Sequence, residues 1–233
     1  MKVNLAHGAG GETMGELLRT LTNVKNRNAG GIGLESLDDG AVIPIDGKNV
    51  VFTTDSHVVR PIFFPGGDIG RLAICGTVND LAVMGGRPLA LSCGMILEEG
   101  FDILDLERIV RSMDEALTES EAHLVTGDTK VVERGSLDKI IINTAGIGIA
   151  EKVVRDNGFC PGDRIIVTGT LGDHGLAVAG LLAGLLLVEA DDVAALADPD
   201  RLDRQRRGVL GVLARAPDLV VAPAAGEDLV ADL

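Results

Sequence analysis

Four aspartates stand where this sequence passes between apolar runs. Asp38 lies in Leu37-Asp-Asp-Gly-Ala-Val42, just before a strand-like run, and Asp55 ends Val51-Phe-Thr-Thr-Asp55. Asn79-Asp80 interrupts an apolar helical stretch. Asp128 follows Leu124-Val-Thr-Gly127, with Thr129 and Lys130 directly after it. Carboxylates among core residues are costly unless something neutralises them. Magnesium meets that need, because it takes oxygens from one or two carboxylates while substrate phosphates complete its shell. Lys130 would then meet a phosphate as a point charge, and glycines such as Gly8, Gly10, Gly11 and Gly127 let backbone N–H groups approach it. Together these residues favour a metal–nucleotide site. Each also has a plainer use. Asp-Asp-Gly is commonly a turn, Asp55 can cap one, Asp128 can fix another, and His7–Gly11 can be a loose terminus. His57 and His123 lack metal-ligand spacing and are expected to be structural, His174 to serve a turn, and Cys75 and Cys93 to be inert core residues.

The elements that must position these residues are α+β. Thr13-Met-Gly-Glu16 has the form of a capping box, with Met14, Leu17, Leu18 and Leu21 on one helical face behind it. Strands are predicted at Ala41–Ile45 and Val50–Thr54. Asp68 is placed to cap a helix carrying Ile69, Leu72, Ala73 and Leu81, which Gly85-Gly86 would stop. A strand around Leu89–Leu97 leads to a helix with the stripe Leu106, Ile109, Val110, Met113 and Leu117. Leu124–Thr126 and Ile140–Ala150 are expected as buried strands. Pro161-Gly-Asp163 is a turn before a strand at Arg164–Thr168. Strands and helices mingle without strict alternation, which predicts a mixed or mostly antiparallel sheet. A boundary is expected within residues 151–162, giving domains 1–152 and 153–233. From Ala190 onward no Lys, Ser, Ile or Cys occurs, so that tail is either an Ala-rich helical segment or not the continuation the fold was built around.

Composition narrows the function. In 233 residues, 46% are hydrophobic and 2% aromatic, with no Trp or Tyr, and 35 acids against 21 bases give a net charge of −14. Such a chain can build a core, but it lacks the exposed rings and the basic surface of a nucleic-acid binder. Three cysteines without a Cys-x-x-Cys pair suit a reducing cytoplasm. The longest apolar run, Gly175–Val188, is too short to span a bilayer, which needs about 20 residues. No P-loop, HExxH or GxSxG signature is present.

Several motifs carry a family resemblance. His7-Gly-Ala-Gly-Gly-Glu12, Leu37-Asp-Asp-Gly-Ala-Val42, Phe52-Thr-Thr-Asp-Ser56 and Phe63-Phe-Pro-Gly-Gly-Asp68 do so, as do Cys75-Gly-Thr-Val-Asn-Asp-Leu81, Val125-Thr-Gly-Asp-Thr-Lys-Val-Val132 and Gly172-Asp-His-Gly175. From residue 4 to about 180 the sequence resembles the HypE family of hydrogenase maturation factors, the carbamoyl dehydratases, within the aminoimidazole-ribonucleotide-synthetase-like superfamily. The resemblance implies two α+β domains, with N-terminal strands pairing across a homodimer into a barrel. It also implies ATP and Mg2+ as cofactors, and carbamoyltransferase and iron-scaffold maturation proteins as partners. The implied reaction is ATP-dependent dehydration of a cysteine-borne carboxamide to a thiocyanate, the source of the iron cyanide ligands of [NiFe] hydrogenase. On this resemblance Asp38, Asp55, Asp80 and Asp128 are candidate metal ligands, joined at the nucleotide by His7, Gly8, Gly10, Gly11, Asn79, Gly127 and Thr129. Lys130 is the catalytic candidate.

The departures lie toward the C-terminus. Asp198-Pro-Asp-Arg201 only faintly echoes the family's Asp-Pro-Thr-Arg-Gly-Gly element, and no cysteine follows Cys160. The expectation is a truncated or altered second domain, without the terminal thiol the cycle works on. A dimerising partner of a full-length homologue, or a small-molecule kinase of the same superfamily, are the competing expectations.

Overall fold

The structure is a computed structural model and describes residues 2–166; the expectations for His174 and for the tail beyond Ala190 lie outside the described residues. The chain parts into two compact units between Asn157 and Gly158. The first begins with a 3-10 turn, Leu5–Gly8, and helix α1, Gly11–Leu21. Strands β1 (Ala41–Ile45) and β2 (Lys48–His57) follow, then a small ribbon of β3 (Phe63–Phe64) and β4 (Gly67–Asp68). Helix α2 (Ile69–Val83), strand β5 (Gly86–Glu98), helix α3 (Ile103–Glu119) and strands β6 (His123–Val132) and β7 (Ile140–Ala150) complete it. One sheet carries the order β1-β2-β7-β5-β6. Its pairs are antiparallel except β5–β6, so the sheet is mixed, as the sequence implied.

Alternation fixes which face is covered. In β2, Val51, Thr53 and His57 are buried while Phe52 is exposed, and in β7 Ile140, Ile142, Thr144 and Ala150 are buried. That face meets α2, which is apolar nearly all round because it lies between the sheet and α3. Ile69, Ala73, Ile74, Val78 and Leu81 of α2 are buried, as are Ile109, Met113, Ala116 and Leu117 of α3. Val110 falls off that stripe and is half exposed. Asp68 caps α2 as its sequence position suggested, its Oδ1 accepting from the backbone N–H groups of Gly70 and Arg71 at 2.8 and 3.0 Å.

Two local expectations give way. Helix α1 starts at Gly11 with Gly10 as its N-cap at φ 81° and no side-chain cap, so Thr13 sits inside the helix rather than capping it. Strand β6 is exposed along nearly its whole length; it is the sheet's last strand and no helix among the described residues covers it, so within those residues the apolar run at Leu124–Thr126 is not core.

The two helices cross closely because Gly70 has no side chain. A Cβ there would stand 2.5 Å from the Ile109 carbonyl oxygen and 2.9 Å from its Cγ2. Gly70→Ala is therefore expected to lower stability by about 2–3 kcal/mol through overpacking. Gly15→Ala, in α1 with only the far end of Arg19 nearby at 3.9 Å, gains up to about 1 kcal/mol of helix propensity. Urea unfolding of both variants checks the opposite signs.

In the second unit, residues 158–166 begin with a turn. Asp163 N–H donates to the Cys160 carbonyl at 3.1 Å, the Cys160 N–H donates to Asp163 Oδ2 at 2.7 Å, and Gly162 takes φ 104°. The predicted strand from Arg164 is not formed at Arg164 or Ile165, Ile166 makes an isolated β-bridge, and Val167 and Thr168 lie outside the described residues. Among the described residues no helix is long and apolar enough to cross a membrane.

Candidate functional site

Strand β2 and helix α2 bring two of the four aspartates together. The two-residue period of the strand points Thr53, Asp55 and His57 to the helix side, and Asp80 comes from the last turn of α2. Thr53 Oγ1 lies 2.9 Å from the Asp39 carbonyl oxygen and 3.0 Å from Asp80 Oδ2. A hydroxyl has one proton and here faces two acceptors. Thr53 Oγ1 therefore shares one proton between the Asp39 carbonyl and the Asp80 carboxylate, donating to one of them at a time. Burial pushes the Asp80 carboxyl up from 3.8 to about 6, and the charges of Asp55 and Asp39 add to the rise against the lowering by Thr53.

Asp38 adjoins this cluster through the Asp38-Asp39 peptide. The chain turns at Leu37 with φ 56°, rarely taken by a non-glycine residue. The Asp38 side chain is only 1% exposed, and its Oδ2 accepts from Arg155 Nε at 3.4 Å. Its Oδ1 is buried with no hydrogen-bond partner, an unusual state for a buried oxygen. Asp156 beside it is held above the ordinary carboxylate range, chiefly by its hydrogen bond with Asp38.

His57 is buried, its Nε2 3.7 Å from Asp55 Oδ2. Burial lowers its pKa, while the Asp55 charge acts the other way. Gly76 of α2 gives the pair room, since a Cβ there would lie 2.8 Å from His57 Cε1 and 3.0 Å from Asp55 Oδ2.

Asp128 and Lys130 are elsewhere. They pair in register with Gly94 and Ile96 of β5, which places them on the face of the sheet that no helix covers among the described residues. There they line a hollow of about 180 Å³ with Gly94, Met95, Ile96, Ile141 and Asn143. The Asn143 amide donates to the Asp55 carbonyl oxygen at 2.8 Å and to Ser56 Oγ at 2.9 Å. Gly127 and Thr129 alternate with Asp128 along β6, and a Cβ at Gly127 would strike the Cys93 carbonyl at 2.5 Å. Asn79 is half-buried on α2 beside Asp80. His7 is buried with Nδ1 2.7 Å from Asn4 Oδ1, while Gly8, Gly10 and Gly11 border open space. Their segment packs chiefly on α1 rather than on the sheet.

The expected gathering of all four aspartates is thus corrected. Asp55 and Asp80 meet, Asp38 is their neighbour through Asp39, and Asp128 lies across the sheet because its register partner is Gly94. Among the described residues no group of three or more His, Cys, Asp or Glu is arranged to hold a metal by itself. Sequence reasoning passed over Thr53 and Arg155, and set Asp39 beside Asp38 as an acid before a strand without carrying it into the site. The spacing Val51-x-Thr53-x-Asp55-x-His57 was the available signal for Thr53.

This architecture is that of a known class. Residues 37–150 match the family model described as AIR synthase related protein, N-terminal domain. Within that superfamily the chain belongs to the HypE family of hydrogenase maturation proteins. It is 57% identical over 183 residues to a hydrogenase expression/formation protein of Methanocaldococcus jannaschii, covering 76% of this chain and 54% of that one. It is 45% identical over 186 residues to the carbamoyl dehydratase HypE of Escherichia coli, covering 77% and 54%. Among solved structures it is similar to HypE in a HypE–HypF complex, at 42% identity and TM-score 0.65, covering 76% of this chain and 56% of that one. It is also similar to HypE in complex with ATP, at 40% identity and TM-score 0.53, covering 81% and 56%. The chain spans about half the length of the curated relatives it matches.

Proposed function

We propose that this chain supplies the nucleotide-binding and dimerising part, residues 1–152, of a carbamoyl dehydratase, with residues 153–233 opening the second domain. The observation that carries the reading is the meeting of Asp55 and Asp39 with Asp80, whose carboxyl feels both charges, with Asp38 in the adjoining turn keeping one buried oxygen without a partner. Such a cluster fits a magnesium ion shared with phosphates better than a cage made wholly of protein, since that ion is held by one or two carboxylates and keeps room for phosphate oxygens. Asp38 and Asp55 would hold it. The metal, when bound, would neutralise charge on a triphosphate and favour γ-phosphoryl transfer.

The overall change is balanced simply. A carboxamide on a thiol, R–S–C(=O)–NH2, gives its oxygen to the γ-phosphoryl group and sheds two protons from nitrogen, leaving R–S–C≡N, ADP and phosphate. Lys130 supplies a positive charge in the hollow on the open face, suited to the developing negative charge on the amide oxygen. Asp128 and Asn143 beside it offer acceptors for the amide N–H groups. A homodimer formed through that face would enclose the hollow. A carbamoyltransferase as partner is supported by the solved complex of a HypE relative with HypF; the iron-scaffold maturation protein would receive the cyanide. The reducing cytoplasm is the compartment this chemistry suits.

Calorimetric titration of the chain with ATP, with and without Mg2+, tests the site. The expected result is binding that strengthens with Mg2+ and weakens about 10-fold or more in Asp38→Asn, a change of about 1.4 kcal/mol. Equal binding with and without the metal would overturn the reading.

A further inference from the structure

We propose that His57 is a positioning residue for the Asp55 carboxylate, its protonated Nε2 lying 3.7 Å from Oδ2 beneath helix α2. The inference rests on the reading of Asp55 as part of a metal–nucleotide site and goes beyond it.

The tautomer follows from counting protons. Thr144 Oγ1 donates to the Ala73 carbonyl oxygen at 3.0 Å and lies 2.6 Å from Thr77 Oγ1. With its single proton spent on Ala73, Thr144 accepts from Thr77. Its remaining lone pair faces His57 Nε2 at 3.4 Å, so that nitrogen carries the hydrogen. Asp55 Oδ2, 3.7 Å away, demands the same, because a ring lone pair aimed at a carboxylate would repel it. At that distance the contact is a charge–dipole attraction rather than a hydrogen bond.

The surroundings make the arrangement rigid. Thr77 and Thr144 are fully buried and His57 nearly so. The missing side chain at Gly76 lets the ring and carboxylate sit side by side under the helix. His57 and Asp55 are two apart on β2, and Asp55 pairs with Thr144 across to β7. The ring is therefore held by the sheet and biases one oxygen of Asp55, leaving the other free to meet a cation. Groups that orient metal-binding carboxylates in this way typically matter 10–100-fold, as an order of magnitude, for metal affinity.

The experiment titrates Mg2+ into the full chain at fixed AMP-PNP, using wild type, His57→Gln, His57→Asn, His57→Leu and Asp55→Asn. Glutamine places an N–H about where Nε2 stands, whereas asparagine is too short to reach it. The expected result is an apparent Mg2+ affinity within about 3-fold of wild type for Gln, and about 10-fold or more weaker for Asn and Leu. AMP-PNP affinity without the metal stays unchanged, which a general packing defect would not allow. Asn matching Gln would overturn the proposal, whether or not the leucine variant folds. If Asp55→Asn leaves Mg2+ affinity intact, the metal-site reading itself fails. If Asp55→Asn weakens it while every His57 variant does not, only the role of His57 fails.

Discussion

Asp80→Asn is expected to melt several degrees above the wild type at pH 7.5 while binding MgATP at least about 10-fold more weakly. Both effects come from the same carboxylate. In the folded chain Asp80 is pushed up to about 6 by burial and by the charges of Asp55 and Asp39. The penalty is absent below the unfolded value of 3.8, grows as pH rises from there to about 6, and is complete above it. The full shift corresponds to about 3 kcal/mol, and partial exposure reduces this to about 1–2 kcal/mol. Asparagine has no charge to bury, and its Oδ1 can accept from Thr53 Oγ1 as the carboxylate does. For a chain of this size the gain is about 3–6 °C in Tm at pH 7.5, shrinking toward zero near pH 4. MgATP at 100 times the wild-type Kd narrows the gap, because a variant that binds about 10-fold more weakly forgoes about 1.4 kcal/mol of ligand stabilisation. Differential scanning fluorimetry at the two pH values, with and without MgATP, reads all of this. A difference independent of pH would mean that the Asp80 charge is not what costs stability.

Where a residue's fate depended on its own strand or helix, the sequence was a sufficient guide. The alternation in β2 and β7, the cap at Asp68 and the stop at Gly85, with φ 78°, are all local. The start of α1 was not, because a capping-box pattern at Thr13 competes with Gly10, whose φ of 81° already sets the N-cap three residues earlier. The site was half legible for the same reason. Asp55 and Asp128 look alike in sequence, each following an apolar run. Yet Asp55 pairs with Thr144 on the helix-covered side, and Asp128 with Gly94 on the open one. That difference is set by strand order and by the register shift between Leu91 and Ser92, neither of which spacing encodes. The apolar letters of β6 told that the strand seeks burial but not what buries it.

If the proposed homodimer forms through the open face, Ile147→Glu is expected to give a monomer. Ile147 lies on the sheet face opposite α2, where it pairs with Phe52 of β2 and Ala90 of β5; it and Phe52 are 42% and 40% exposed. Strand β6 ends the same sheet, with Val125 and Val131 64% and 68% exposed. An apolar sheet face beside an uncovered edge strand is a liability that proteins normally cover, and in the proposed homodimer a second copy of the chain would cover both at once. In a two-fold interface the substitution acts twice and brings two like charges together, which costs several kcal/mol. The dimer dissociation constant should rise about 100-fold or more. Leu104→Glu is the control: that residue is 71% exposed but lies on α3, in the helix layer, and its substitution should leave the dimer intact. Sedimentation velocity over a concentration series separates the cases. If both variants behave alike, the association does not use the open face. If only Ile147→Glu dissociates, the hollow lined by Asp128 and Lys130 becomes open to solvent in the monomer, and any chemistry that Lys130 performs should disappear with the dimer.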